Sequence, residues 1–403
     1  MSEGRVALTF PNFRYHMTGR VLGVLASEMQ AVAVSWQIFA ITHRPLDLGL
    51  VGLAQFLPGV LLFLVTGHTA DRFPRKRILQ TCYCGFALCS LLFALLAIKG
   101  GAVTLTPIYT VLLLNGVVRA FNGPASQAFL PLLVPELHFP NAVAWGASLF
   151  QVATIAGPIA GGLLYGYTGR PLPVFLAAMC SYLLALGAIT PVQPIRAQTA
   201  RRIVSATAIS DGLRYIRSNK LVLGSISLDL FAVLLGGAVA LLPVYAGDIL
   251  NVGTRGLGLL RGAPGVGAVV MAIIVAHWPL KKNAGPAMLW GVFGFGLCTI
   301  VFGLSRNLAL SLVALILLGA CDMVSMIVRG TLVQVATPDE MRGRVSAVNM
   351  LFIGASNEVG QFESGLTAQW FGTVPAVVLG GAGTLLVVAL WSRMFPELRR
   401  ATT

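Results

Sequence analysis

The chain has 403 residues, 56% of them hydrophobic and only 10% charged. A water-soluble chain of this length carries nearer a quarter charged residues, so the apolar excess has to face lipid. The 28 Lys and Arg against 14 Asp and Glu leave a net charge of +14; in a membrane protein that excess belongs first to cytoplasmic loops, which excludes nucleic acid as the default partner.

Residues 1–20 contain no long apolar run followed by a small-residue cleavage site, so no cleavable signal peptide is expected. From Val21 onward, apolar runs of about 20 residues alternate with short polar breaks, which is the length a helix needs to cross a bilayer. The expected spans are 20–42, 48–69, 77–98, 104–125, 141–168 and 172–192, then 221–247, 255–277, 286–305, 308–331, 345–370 and 373–395. The fold class is therefore an all-α membrane protein with 12 transmembrane helices. The six Cys (82, 84, 89, 180, 298, 321) all fall in apolar stretches and read as buried thiols, with no disulfide framework and no metal site.

Lys and Arg set the orientation. With the N-terminus inside, 20 of the 28 cations fall on the cytoplasmic side, including Arg5, Arg14, Arg20, Arg72, Arg75, Lys76 and Arg77. Arg196, Arg201, Arg202, Lys281 and Lys282 lie on that side too, and only Arg44, Lys99, Arg170, Arg255 and Arg306 lie outside. This bias puts both termini in the cytoplasm of a multi-pass protein of a bacterial-type plasma (inner) membrane.

The halves repeat. Gln55-Phe-Leu-Pro58-Gly59-Val60 matches Arg261-Gly-Ala-Pro264-Gly265-Val266, while Gly116, Pro135, Glu136 and Gly162 match Gly319, Pro338, Asp339 and Gly365. Glu28 corresponds to Asp229, and Arg119 to Asp322. An even number of spans per half makes the repeat parallel, with a pseudo-twofold axis along the membrane normal. The expected domains are a six-helix bundle at 1–192, a cytoplasmic linker at 193–219 and a second six-helix bundle at 220–403. The linker reads as holding a short amphipathic helix lying on anionic lipid.

Two six-helix halves joined by a basic loop resemble the major facilitator superfamily over the whole chain. The most specific match is Gly67-His-Thr-Ala-Asp71-Arg72-Phe-Pro74-Arg75-Lys76, similar to the superfamily's conformational-switch loop, with Pro74 where Gly is usual. Gly67 there is expected to let two helices approach closely. Gly157-Pro158-Ile-Ala-Gly161-Gly162 in the fifth span looks like the signature of antiporter-type exporters. Arg119-Ala-Phe-Asn122-Gly123 is similar to a fourth-span element of the superfamily. Thr337-Pro-Asp-Glu-Met-Arg342-Gly-Arg344 reads as a helix start with Thr337 as cap and Pro338 in the first position. With Ser35-Trp36-Gln37 and Leu48–Pro58, it resembles the branch that holds the enterobactin exporter and macrolide-efflux proteins.

A charge inside a spanning helix is expensive and points to function. The acids there are Glu28, Asp229, Asp322, Glu358 and Glu363, and the cations are Arg119, Arg261 and Arg329. The resemblance implies that the first, fourth, seventh and tenth spans line a central cavity, which would bring Glu28, Arg119, Asp229 and Asp322 to it, with a structural Glu28–Arg119 pair as the plainer reading. Proton coupling requires a carboxyl whose affinity for a proton rises on desolvation and falls again when water or a cation reaches it; Glu28 and Asp229 lead, followed by Asp322, with Glu358 and Gln37 as further cavity candidates. Gln30, Gln55, Asn115 and Gln151 are polar cavity candidates, and aromatic residues such as Trp36 and Phe150 suit an amphipathic cargo.

The expected function is a proton-coupled exporter of small lipophilic or amphipathic compounds, of the drug-efflux type, working by alternating access. The alternative is export or uptake of a siderophore or other metabolite. A membrane enzyme or sensor is the other class, and the sequence lacks HExxH, P-loop and GxSxG motifs and any His cluster. The expected partners are the small-molecule substrate, protons and anionic lipid, with no nucleic acid and no cofactor besides the proton gradient, and the chain acts as a monomer.

Overall fold

The computed structural model describes residues 3–99, 104–195, 206–278 and 283–401, with side chains left aside at 3, 4, 64, 70, 71 and 206–209. Arg196, Arg201, Arg202, Lys281 and Lys282, counted above for orientation, lie outside the described residues. Among the described residues there are helices and no strands. A short 3-10 turn at Glu3–Thr9 leads into α1 (Pro11–Thr42), α2 (Pro45–Leu61), α3 (Phe63–Arg72), α4 (Arg75–Lys99) and α5 (Leu105–Phe129). Then come α6 (Phe139–Thr168), α7 (Leu172–Ile189), α8 (Ala206–Ser218), α9 (Lys220–Leu235) and α10 (Leu242–Val244). The chain ends with α11 (Gly253–His277), α12 (Ala284–Leu304), α13 (Leu308–Ala336), α14 (Asp339–Phe371), α15 (Thr373–Met394) and α16 (Pro396–Arg399).

Nine of the described helical stretches are long and apolar enough to cross a membrane. The other three expected spans correspond to α2 with α3, α5, and α14. The second span is apolar but is divided, so that α2 has only 17 residues; α5 and α14 are less apolar because they carry polar candidates, Asn115 and Arg119 on α5 and Asn357, Glu358, Gln361 and Glu363 on α14.

Three boundaries depart from expectation. The first helix begins at Pro11, nine residues before Arg20, because Pro suits an unpaired first turn and the Phe10 carbonyl already accepts from the Arg14 amide at 3.1 Å. The second span is interrupted at Leu62, which leaves helical geometry (φ −96°, ψ 4°) although its amide still donates to the Pro58 carbonyl at 2.9 Å. The seventh gives way at Gly236–Gly237 to 3-10 and π turns that run to Ile249 around Pro243. At the start of α14 the cap position falls on Pro338, one residue after Thr337. The Thr337 hydroxyl instead donates back to the Val333 carbonyl, so Thr337 closes α13 and does not open α14. The two acids at Asp339 and Glu340 do occupy the first turn of α14, as its dipole favours.

Cα packing divides the chain into two units, Met1–Ile41 with Ala54–Ile203, and Thr42–Leu53 with Val204–Thr403. The first part of α2 thus packs with the second unit. Its Gly49 is so close to α14 that a Cβ there would lie 3.0 Å from the Gln361 carbonyl oxygen.

The repeat recurs in the packing of each unit. A Cβ on Gly116 of α5 would meet the backbone of Gln55 and the ring of Pro58 on α2; a Cβ on Gly319 of α13 would run into the backbone of Pro264 on α11. Gly157 of α6 and Gly360 of α14, 203 positions apart, each press against the first helix of their own half. Gly169 and Gly372, also 203 apart, follow the ends of α6 and α14 with φ of +67° and +89°, a conformation that glycine adopts without a Cβ penalty.

The core of the first unit joins α4, α5 and α7 through Phe86, Phe129, Tyr182 and Ile189. That of the second joins α9, α12, α13 and α15 through Leu228, Met288, Val292, Leu332 and Val388. The connector supplies α8, whose Asp211 pairs with Arg344 at 3.1 Å and whose Tyr215 hydroxyl donates to the Ala336 carbonyl at 2.6 Å. These contacts seat α8 against α14 and the end of α13. Cys84 and Cys180 are exposed, contrary to the expectation of buried thiols, because they occupy outward faces of apolar helices.

Candidate functional site

In the second unit, Asp229 of α9 forms an ion pair with Arg329 of α13, and each side chain is only 6% exposed. Burying two charges together costs far less than burying one, since each neutralises the field of the other. Ser325, one turn before Arg329, is buried, and its hydroxyl faces Asp229 without reaching hydrogen-bond geometry. Asp322 lies a further turn along the same face of α13. Sequence alone singled out Asp229, Asp322 and Arg329, but nothing in it joined Asp229 to Arg329 across 100 residues.

In the first unit, Glu28 of α1 sits on the Gly157 position of α6. A Cβ on Gly157 would lie 2.6 Å from the Glu28 Cβ, and one on Gly161 would lie 2.8 Å from the Met29 Cα. The exporter-type motif therefore does local work here: Gly157, Pro158, Gly161 and Gly162 are all buried, and the glycines bring α6 against α1 beside Glu28. Arg119 reaches the side-chain oxygen of Gln55 at 3.4 Å. Gln37 is half-buried on α1, whereas Gln30 is buried and accepts a 2.6 Å hydrogen bond from Ser90 of α4. Gln30 is thus a helix-to-helix tie and not a cavity residue.

On α14, Gln361 donates to Glu358 at 3.1 Å, and both stand beside Gly52 of α2. Glu363, five residues on, is half-buried on a different face of the helix.

The switch-type loop is reduced to Phe73 and Pro74 between α3 and α4. Phe73 is extended, and the Pro74 carbonyl accepts from the Arg77 and Ile78 amides, so the proline closes the turn where Gly is usual. Arg75 is buried and donates to the Ala128 carbonyl at 2.8 Å, placing a cation at the C-terminus of α5 where its dipole favours one. Arg72 is exposed and Lys76 is half-buried. The side chain of Asp71 lies outside the described residues. Gly67 does not serve close approach, because a Cβ there would meet open space.

Arg20 was missed as a site residue. With α1 starting at Pro11, it becomes part of the first helix, partly buried, with its guanidinium 5.6 Å from the Phe150 ring centroid. The signal was available: Pro11 is a strong helix-start residue, and an amphipathic extension of the first span would have included Arg20.

The model of the family described as "Transmembrane secretion effector" matches residues 6–401. The chain belongs to this family. Its members are major facilitator superfamily transporters, and the 12-helix, two-part architecture agrees with that. Among curated relatives, "Enterobactin exporter EntS" of Shigella boydii serotype 4 (strain Sb227) is 28% identical, covering 97% of this chain and 94% of the relative. The protein of the same name from Escherichia coli O1:K1 / APEC has the same identity and coverage. A D-xylose–proton symporter structure superposes with a TM-score of 0.75 at 13% identity, over 98% of this chain and 100% of that one. A bacterial homologue of the iron transporter ferroportin, inward-facing, gives 0.72 at 15% identity, over 97% and 99%. At such identities these two likenesses concern the fold.

Proposed function

We propose that this transporter exports a siderophore-type metabolite across a bacterial inner membrane, drawing on the proton gradient by alternating access. The observation that carries the reading is the likeness, over 97% of the chain, to relatives named as enterobactin exporters. That likeness favours the siderophore or metabolite cargo over the lipophilic, drug-type cargo expected from the sequence. The outward direction is supported by the Gly157–Gly162 motif, seated against α1, and by the word exporter in the relatives' names. Proton coupling is supported by acids placed inside spanning helices at Glu28, Asp229 and Asp322. No nucleotide-binding motif is present in the sequence to supply another energy source. The orientation with both termini in the cytoplasm rests on the Lys and Arg bias.

Arg20 beside Phe150 offers a cation with an aromatic face, a pairing suited to an anionic or strongly polar aromatic ligand. The test uses everted membrane vesicles with labelled enterobactin. Vesicles containing the chain are expected to accumulate it when the lumen is acid, and to stop when an ionophore collapses the gradient. Equal accumulation in vesicles lacking the chain would refute the cargo, and gradient-independent accumulation would refute the coupling.

A further inference from the structure

The polar cluster on α13 has an uneven charge count. Asp322, Ser325 and Arg329 are spaced three, four and seven residues apart, so they share one face; seven residues fall only about 20° short of two full turns. Asp229 comes to that face from α9 and is committed to Arg329. The charges acting on Asp322 are those of Asp229 and Arg329. Among the described residues, Asp322 makes neither an ion pair nor a hydrogen bond. With both acids ionised, two negative charges share one positive charge.

Position sharpens the argument. Asp322 is the fifteenth of the 29 residues of α13, so about 21 Å of helix extends on either side of it, and a charge near the middle of a spanning helix is the most costly to keep there. It is nevertheless partly open, while Asp229, Ser325 and Arg329 are buried. A carboxyl at mid-depth that is accessible and without a partner is suited to exchanging a proton; one locked to a guanidinium is not.

Among the described residues, α14 meets α9 through Phe352 and Gly360, and α15 meets it through Thr384, Val387 and Val388, none of them an acid. The facing part of α12 is apolar apart from Cys298, which meets Cys321 of α13. On α11 the charged residue is Arg261, three residues before the Pro264–Gly319 contact, whereas Asp322 lies three residues after that contact on α13.

We propose that Asp322 is the group that binds the coupling proton, with Arg329 as its counter-charge and Asp229 as the residue that positions Arg329. Protonation converts the Asp322 carboxylate to the neutral acid and removes the cluster's excess negative charge; release restores it. The cluster suits a proton and not a sodium ion. A metal cation needs several oxygen ligands, and here Arg329 already occupies Asp229, which leaves one carboxyl and one hydroxyl. The inference deepens the proton-coupled reading above and rests on it.

The test is infrared difference spectroscopy between acid and neutral pH on the full-length protein in lipid vesicles, alongside the enterobactin assay. The parent and the exposed-site control Asp339→Asn are expected to show the carbonyl band of a protonated carboxyl. Asp322→Asn should lose that band and gradient-driven accumulation together, and Asp322→Glu should restore both. Asp229→Asn should keep the band but shift the pH at which it appears, which a merely structural role would not do. A band that survives unchanged in Asp322→Asn, or accumulation driven by sodium and indifferent to pH, overturns the proposal. If the parent moves no enterobactin while the band still follows Asp322, the cargo assignment fails and the proton site stands.

Discussion

Replacing Asp229 with Asn leaves Arg329 charged and buried with no acid committed to it. Both partners are only 6% exposed, so water screens neither of them, and the discount applied to surface ion pairs does not apply here. Removing one partner of such a pair costs about 3–5 kcal/mol, because the remaining charge keeps its desolvation penalty and loses its compensation. Arg329→Met should cost a similar amount by stranding Asp229. Asp229→Asn with Arg329→Met removes both charges, and its loss should be well below the sum of the singles, so the coupling energy is positive and on the order of 2 kcal/mol or more. The assay is the thermal midpoint of purified protein in one detergent for the parent, both singles and the double, followed by intrinsic fluorescence at one scan rate. Strictly additive losses would show that the two charges are not paired in the folded protein, and the reasoning about this site would fall with them.

The glycines give a contrasting pair. Gly319→Ala drives a Cβ to 1.9 Å from the Pro264 carbonyl oxygen, a backbone atom that cannot swing away; it should lower the thermal midpoint sharply, by at least the roughly 1–3 kcal/mol of an overpacked core. Gly67→Ala points into open space within α3 and should raise stability by about 0.5–1 kcal/mol, since Ala favours helix; a loss there would mean that Gly67 has a close neighbour after all. Ser90→Ala removes the 2.6 Å donor to buried Gln30 and should cost about 1–3 kcal/mol, and Gln30→Leu in the same background should recover part of it in the same melts. Asp211→Asn breaks the partly exposed pair with Arg344 and should cost no more than about 1 kcal/mol, while increasing proteolytic cleavage around α8.

The number of spans, their order and the parallel repeat were all legible in the linear chain, because a bilayer demands a fixed length of apolar helix and punishes every exposed backbone group. Where the reading slipped, a local signal competed with it. Arg20 looks like a loop cation until Pro11 is recognised as the helix start, and Gln30 looks like a cavity lining until Ser90 is found opposite it. Cys84 and Cys180 read as buried because composition reports apolar surroundings, and lipid provides these as well as protein does. Gly67 carries the spacing of a close-packing glycine without a neighbour to pack against.

Sequence by itself determined that this is a membrane transporter of two repeated halves, and which scarce charges fall within its apolar runs. Tertiary structure alone decided which of those charges are already spoken for. Asp229 and Arg329 are 100 residues apart and meet only because α9 packs on α13, whereas Asp322, close to Arg329 in sequence, has no ion pair of its own among the described residues. Helical periodicity specifies the face on which a residue lies, but a charge is satisfied or stranded by what the neighbouring helix presents to it. That depends on packing between segments distant in the chain, and no local pattern encodes it.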